Sequence, residues 1–530
     1  MKKFVSILSC VLLVCLVLTA FAACANNDKP DSLVIYNWAD YIFDEKFDDE
    51  MHDFVQYYKQ VTGRTIKVTY TTFDTNETML TRLTQGDSSV DVVCPSEYAI
   101  QKLYEMDMLV ELNYFDQDKY TQGFSDYTKS NYVHNSDNVE PLIREKVEDA
   151  FGDMINYFVP YMYGTLGILY NKKEFKKLGI YDVDHPEIMN DANWGILFND
   201  NGSGEILSDK LTGKILMKDS IRDSYAATIF YLQQTGKLDD LTNDKGESYA
   251  TMPASRLINA VDDTLLDVVR DTLVKQKSQL FGYEVDFGKD DLLQENAFVD
   301  LAWSGDALYA VEESWDKNLI NDDGEKGDYK LGYYVPHGAG NIWFDGWVVP
   351  KTYNPDHIEA IKIFINYLNT PRVAAANLLE IGYTAAVSPD VLQADPDAMS
   401  VLMEDYDYDP ASPDDVIDFT AEFFDYVDSI DGSNWRYPFV TAPLERDPTN
   451  PYDRSVDTLG VMRDFGDNNK KVVTMWNYAR SVGSEKEALL LLAWTALAVA
   501  VAVGVLFAVI GIKRWRSHTI KMPKAALQSE

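Results

Sequence analysis

The stretch Leu33-Val34-Ile35-Tyr36-Asn37-Trp38-Ala39-Asp40-Tyr41 decides how this chain is read. Its apolar start predicts a β-strand over 33–36. The strand then delivers two large aromatics, Trp38 and Tyr41, with the carboxylate Asp40 between them. In α/β proteins, ligands bind beyond the carboxyl ends of strands. Aromatic faces attract organic cations through the ring quadrupole, and a carboxylate supplies the matching charge. Two readings stay open on these residues alone. Trp38 and Tyr41 are core side chains and Asp40 caps the next helix, or the three begin a cage for an amine.

Outward from this strand, short β-like runs alternate with amphipathic helical ones. Strands are expected at 33–36, 66–71, 91–94, 165–170, 213–217, 298–303, 330–334 and 346–349. Helices are expected at 77–85, 98–106, 221–235, 357–368, 371–379 and 469–482. Strand, helix, strand, helix is the signature of an α/β sheet. The segment 236–290 carries no clear period, and the acidic, proline-rich run 395–415 reads as a surface excursion.

The chain has 530 residues, 46% of them hydrophobic, enough for two or more packed domains. Asp and Glu number 85 against 47 Lys and Arg, for a formal net charge of −38. So acidic a surface argues against nucleic acid, whose phosphates need a basic face. It suits a cationic ligand, although solubility alone also accounts for most of the charge.

Both ends carry targeting signals. Lys2-Lys3 and the apolar run after them read as a secretory signal peptide over 1–23. Phe21-Ala22-Ala23-Cys24 is similar to a bacterial lipobox, with Cys24 as the lipidated residue and 24–31 as a tether; ordinary cleavage after Ala22 or Ala23, with no lipid, is the alternative. Segment 488–512 has no charge and is followed by Lys513-Arg514-Trp515-Arg516. About 20 apolar residues span a bilayer, and basic residues mark the inner side. A transmembrane helix over 488–512 and a short cytoplasmic tail over 513–530 are therefore expected, leaving 32–484 as the extracytoplasmic domain. Once Cys10 and Cys15 leave with the signal, Cys24 and Cys94 make no disulfide framework.

Enzyme signals are missing from the sequence. The six histidines, His52, His134, His185, His337, His357 and His518, lack zinc spacing. No nucleophile elbow or phosphate-cradling glycine loop is present. No enzyme activity, metal or cofactor is expected. What recurs is aromatic plus acid at strand ends: Pro95-Ser96-Glu97-Tyr98, Trp303-Ser304-Gly305-Asp306, and Ile342-Trp343-Phe344-Asp345 ahead of 346–349. Ile381-Gly382-Tyr383 ends a helical run, and Asp219-Ser220-Ile221-Arg222-Asp223 opens one. Each alone reads as packing or capping; together they could face one cleft.

In this order the blocks resemble the spermidine/putrescine-binding proteins of bacterial ABC importers. Tyr36 to Tyr41 is similar to that family's opening block, and Thr72-Phe73-Asp74-Thr75-Asn76-Glu77-Thr78-Met79 to its next. Asp91-Val92-Val93-Cys94-Pro95-Ser96-Glu97-Tyr98, the Trp303 block, the Trp343 block and Ile381-Gly382-Tyr383 follow, so the likeness runs over about 32–480 with insertions. It implies a two-lobed periplasmic-binding-protein fold, type II-like, with an interlobe ligand cleft. Lobe one would take about 32–160 and 346–384, and lobe two about 161–345 and 385–484.

By the same resemblance, Trp38 and Tyr41 line the ligand channel, and Ser96 and Tyr98 add a polar contact and an aromatic. Trp303 and Trp343 sandwich the aliphatic chain, Asp345 meets an ammonium, and Tyr383 completes the wall. Asp306 is similar to the acid of putrescine-selective members, and Asp223 could serve a third nitrogen. Ser220 and Met462 depart from the family pattern, where an acid and an amide side chain are common. The expectation is a membrane-anchored binding subunit outside the cytoplasmic membrane that captures putrescine or spermidine for an ABC permease and its ATPase. The alternatives are another cationic or polar solute on the same fold, and a surface amine sensor.

Overall fold

The computed structural model describes residues 30–39, 41–43, 53–179, 193–200, 204–320, 326–336, 339–404 and 459–482. Asp31–Trp38 forms β1, with β2 at Ile66–Phe73 and β3 at Val92–Val93. Both pair with β1 in parallel. Parallel neighbours need crossover connections, here carrying the helices Asp53–Thr62 and Asn76–Thr84. The latter helix starts where Thr75 accepts the Thr78 N–H, a cap that a β-branched hydroxyl supplies readily.

The longest described strand, β4 at Phe158–Asn171, is buried along its whole length. It joins the two lobes. Strands β5 (Ile215–Lys218), β6 (Leu280–Glu284) and β7 (Val299–Trp303) form the second lobe's sheet. Strands β8 (Trp315–Ile320) and β9 (Lys326–Tyr329) make a separate hairpin, and β10 (Leu331–Tyr334) pairs with the far end of β4. The near end of β4 pairs antiparallel with β11 (Gly340–Val348), and its other half with β7. The resulting path is β2-β1-β3-β11-β4-β7-β5-β6, with β12 (Thr384–Ala385) beside β4 and β13 (Leu459–Gly460) beside β11. One strand thus belongs to both lobes, and the cleft opens beside it.

Separate cores lie on either side. Trp194, Tyr225, Phe230 and Leu301 pack in the second lobe, and Leu33, Phe54, Trp347 and Phe364 in the first. Trp303 packs against both.

The structure moves three sequence expectations. Trp343, Phe344 and Asp345 lie inside β11 rather than ahead of it, because β11 begins at Gly340. A buried carboxylate breaks the apolar run that marks a strand, and the register shifts between Asp345 and Gly346 to seat it. Leu392, Ala398 and Leu402 pack in the first lobe's core, so 385–404 sits with lobe one and not with lobe two. The third correction is the membrane helix. No described helix is long and apolar enough to cross a membrane. The longest described helices, Ile221–Gln234 and Asp263–Gln276, have 14 residues each. At about 1.5 Å per residue they fall short of a hydrocarbon core of about 30 Å. The run 488–512 lies outside the described residues, as do the tail 513–530, the signal 1–23, Cys24 and Asp40.

Candidate functional site

A cavity of about 630 Å³ lies between the two cores. Pockets for small ligands commonly enclose roughly 300–1,000 Å³. The structure brings all ten predicted side chains to its wall: Trp38, Tyr41, Ser96, Tyr98, Asp223, Trp303, Asp306, Trp343, Asp345 and Tyr383. They come from the ends of β1 and β7, from β11, and from helix starts and a helix end, as the topology requires.

Asp345 is the centre of the first-lobe side. Tyr41 donates its hydroxyl to Asp345 Oδ2 at 2.8 Å. Asp345 Oδ1 is buried and has no partner. Burial pushes the Asp345 carboxyl up to about 7, against the Ser96 and Tyr41 hydrogen bonds, and the charge of Asp223 adds to the rise. A carboxylate stripped of water and left half-paired is held at a cost that a cation would relieve.

Aromatic rings enclose it. Tyr383 stands edge-on to both Trp343 and Tyr41, at 5.3 and 5.4 Å between centroids. Two glycines make this packing possible. A Cβ on Gly164 would come within 2.6 Å of the Trp343 ring, and one on Gly305 within 2.4 Å of the Tyr383 ring. Both rings therefore rest directly on backbone. On the far side of the lining, Trp38 leans on Phe73 at 4.5 Å.

Sequence reasoning missed Asn76, Glu77 and Glu97. Asn76 Nδ2 donates to Ser96 Oγ and Tyr98 Oη, each at 3.0 Å, and so orients two lining groups at once. Tyr98 Oη in turn reaches Glu77 Oε1 at 3.4 Å. Glu97 is fully buried and accepts the Phe344 N–H at 3.0 Å. Burial lifts its carboxyl to about 8, with the Asp345 charge adding to the rise. Asn76 and Glu77 were visible in the Thr72–Met79 block, and Glu97 in Ser96-Glu97-Tyr98, but each reads locally as a helix opener.

The second-lobe side is differently charged. Lys218 is buried and pairs with Glu284 at 2.5 Å, with its ammonium 4.2 Å from the Trp303 ring centroid. Glu284 and Asp300 raise its pKa despite burial. Ser220 caps the helix that carries Asp223, and the Asp223 carboxylate, which accepts from Ser220 and Trp303, lines the cavity. Burial raises the Asp223 carboxyl. Asp306 is already engaged: Lys289 Nζ stands 2.9 Å from its Oδ1. Met462, noted as a departure, lines the wall as an apolar side chain. Among the described residues, no group of three or more His, Cys, Asp or Glu is arranged to hold a metal ion.

A cavity with acids at intervals and aromatic walls can hold a flexible cation with an apolar middle. The family model described as bacterial extracellular solute-binding protein matches residues 53–406. The spermidine/putrescine-binding periplasmic protein of Escherichia coli K12 is 22% identical over 360 residues, covering 68% of this chain and 78% of the relative. The putrescine-binding periplasmic protein PotF of the same strain is 25% identical over 347 residues, covering 65% and 75%. Among solved structures, a candidate spermidine/putrescine ABC transporter of Listeria monocytogenes aligns with a TM-score of 0.51 and 24% identity, over 85% of this chain and 97% of that one. The TpPotD lipoprotein of Treponema pallidum aligns with a TM-score of 0.52 and 15% identity, over 85% and 99%. These two structures share the two-lobed α/β fold with this chain.

Proposed function

The chain belongs to the bacterial extracellular solute-binding proteins, and from that premise we propose that its interlobe cleft captures a polyamine and presents it to an ABC importer. The observation that carries the reading is Asp345: one carboxylate oxygen held by Tyr41, the other buried and unpartnered, in a cavity that Trp343 and Tyr383 also line. An arriving ammonium would complete its pairing. The methylenes between nitrogens would lie on the indole and phenol faces, each buried CH₂ contributing roughly 0.8 kcal/mol. The names of the curated relatives support the ligand class.

The roles follow from position. Asp345 is the primary ammonium partner, oriented by Tyr41. Trp38, Tyr98, Trp303, Trp343 and Tyr383 are the walls. Ser96 is a polar contact, and Asp223 with Glu77 offers a second cationic position. The protein works outside the cytoplasmic membrane, exported by 1–23 and tethered by lipid on Cys24, with a permease and its ATPase as partners. Ligand binding closes the lobes by a hinge motion about β4 and β11, and the closed form is what the permease receives.

Calorimetry on the purified full chain with putrescine, spermidine, spermine, lysine and arginine tests this reading. Saturable heat with the polyamines is the expected result, together with a rise in melting temperature by mass action. Binding confined to the amino acids would replace the polyamine by a basic amino acid.

A further inference from the structure

Lys289 and Asp306 come from two consecutive helices, Gly288–Leu293 and Ser304–Glu313, that face the cleft from the second lobe. Their ion pair is 2.9 Å long, and the two side chains keep only 27% and 17% of their exposure. The Tyr309 ring lies 5.6 Å from the same ammonium. The charges of Asp306 and Asp286 hold the Lys289 ammonium protonated, against its burial. Asp306 thus already has the partner that a ligand nitrogen would otherwise be.

Three other lining acids, Asp345, Glu77 and Asp223, form no ion pair among the described residues, although Asp223 accepts hydrogen bonds from Ser220 and Trp303. Asp345 Oδ1 has no partner. Burial raises Glu77, and the nearby Asp223 charge adds to that rise and to the one at Asp345. Asp345 and Glu77, each burdened by the Asp223 charge, gain from an incoming cation. Asp306 would gain little, because a new ammonium there must first displace Lys289 from its ion pair.

We propose that Lys289 is a resident counter-ion that fills the Asp306 ammonium position, so that this cleft reads a ligand's charged nitrogens at Asp345 and Asp223 and not at Asp306. Lys289 is then a specificity-determining residue: it removes one acid from the ruler that measures ligand length. This rests on the amine-binding reading above.

The test is calorimetry at pH 8 on the full-length wild type, Lys289→Met, Lys289→Gln and Lys289→Met/Asp306→Asn, each checked for cooperative unfolding. Putrescine and the monoamine n-butylamine are the probes. Freeing Asp306 should tighten putrescine about tenfold and n-butylamine by no more than about threefold, since only the diamine has a nitrogen to offer it. Adding Asp306→Asn should remove the gain. Lys289→Gln is held to the same outcomes should the methionine variant not fold. An unchanged putrescine-to-butylamine ratio, or a gain that persists in the double variant, overturns the inference and leaves the amine reading standing. No heat with any amine in any folded variant overturns both.

Discussion

Tyr41 and Asp345 are 304 residues apart in the chain, yet the Tyr41 hydroxyl donates to Asp345 Oδ2 at 2.8 Å across the floor of the cleft. The bond joins the segment just beyond β1 to β11. It uses one carboxylate oxygen and leaves the other, Oδ1, buried without a partner. The phenol also stays protonated through any working pH, because burial and the Asp345 charge both push its pKa up. Towards the carboxylate it therefore acts as a donor, which keeps Asp345 oriented.

Asp345→Asn should lower polyamine affinity by a hundredfold or more, since a buried charge pair that loses one partner costs about 2–5 kcal/mol. Tyr41→Phe removes only the orienting bond, and about tenfold is expected from a hydrogen bond to a charged group. Titration calorimetry of both variants checks this. Equal losses would mean that Asp345 acts through Tyr41 rather than on the ligand.

The raised pKa of Asp345 fixes the sign of a pH effect. Its folded pKa, about 7, lies above the ordinary value of 3.8. Between those values the folded state holds the extra proton. The stability it contributes is therefore present below pH 3.8 and lost as pH rises through about 7. Apo wild type should lose melting temperature between pH 5 and 8 relative to Asp345→Asn. Ligand binding should run the other way. An ammonium needs the ionised carboxylate, so affinity should rise nearly tenfold per pH unit from about 5 to 7 and then level off. Calorimetry in buffers of different ionisation heat should show close to one proton released at pH 6, and none from this group at pH 9.

How much of this was legible before folding differs from residue to residue. The strands at 33–36, 66–71 and 298–303 were visible because apolar runs end at turn residues, and the structure extends or trims them by a few positions. The aromatic-and-acid blocks were legible as a set because order along the chain carried over from a related family. Asp345 was misplaced relative to its strand, since a carboxylate inside a buried run looks like a terminus. Lys289 was invisible. It sits in 236–290, where charged helices such as Asp263–Gln276 show no clean apolar stripe, and nothing local says that its ammonium would reach Asp306. The likeness of Asp306 to the acid of putrescine-selective members assumes that its carboxylate is free, so that step depends on a contact the sequence does not display.

Gly305→Ala tests whether the Tyr383 ring is positioned by backbone contact. The added methyl would meet the ring at 2.4 Å, and the side chain must move. No ligand-facing polar group is removed. Polyamine affinity should still fall by about tenfold, with a stability loss of roughly 1–3 kcal/mol from overpacking. Intrinsic fluorescence should shift as well, because Trp343 is packed edge-on against that ring. Unchanged affinity alongside lost stability would show that Tyr383 is structural only.

Lys218 tests the opposite wall. It is buried, pairs with Glu284 at 2.5 Å, donates to the Val285 carbonyl at 2.8 Å and lies over the Trp303 ring. Lys218→Met keeps the length of the side chain and its contact with the indole but removes the charge. Glu284 and the buried Asp300 would then face each other without a cation. Breaking a buried pair from one side costs about 3–5 kcal/mol, so a fall in melting temperature on the order of 5 °C or more is expected. Asp300 is already pushed well up by burial and by Glu284, with Lys218 the opposing influence. The variant should therefore take up a proton on Asp300 and recover part of its stability at low pH. A double variant, Lys218→Met with Glu284→Gln, should regain most of the loss at pH 8, because it leaves no charge without a partner between those two positions. Failure of the second change to rescue the first would mean that Lys218 stabilises the lobe mainly through Trp303 and the Val285 carbonyl, and not through its ion pair.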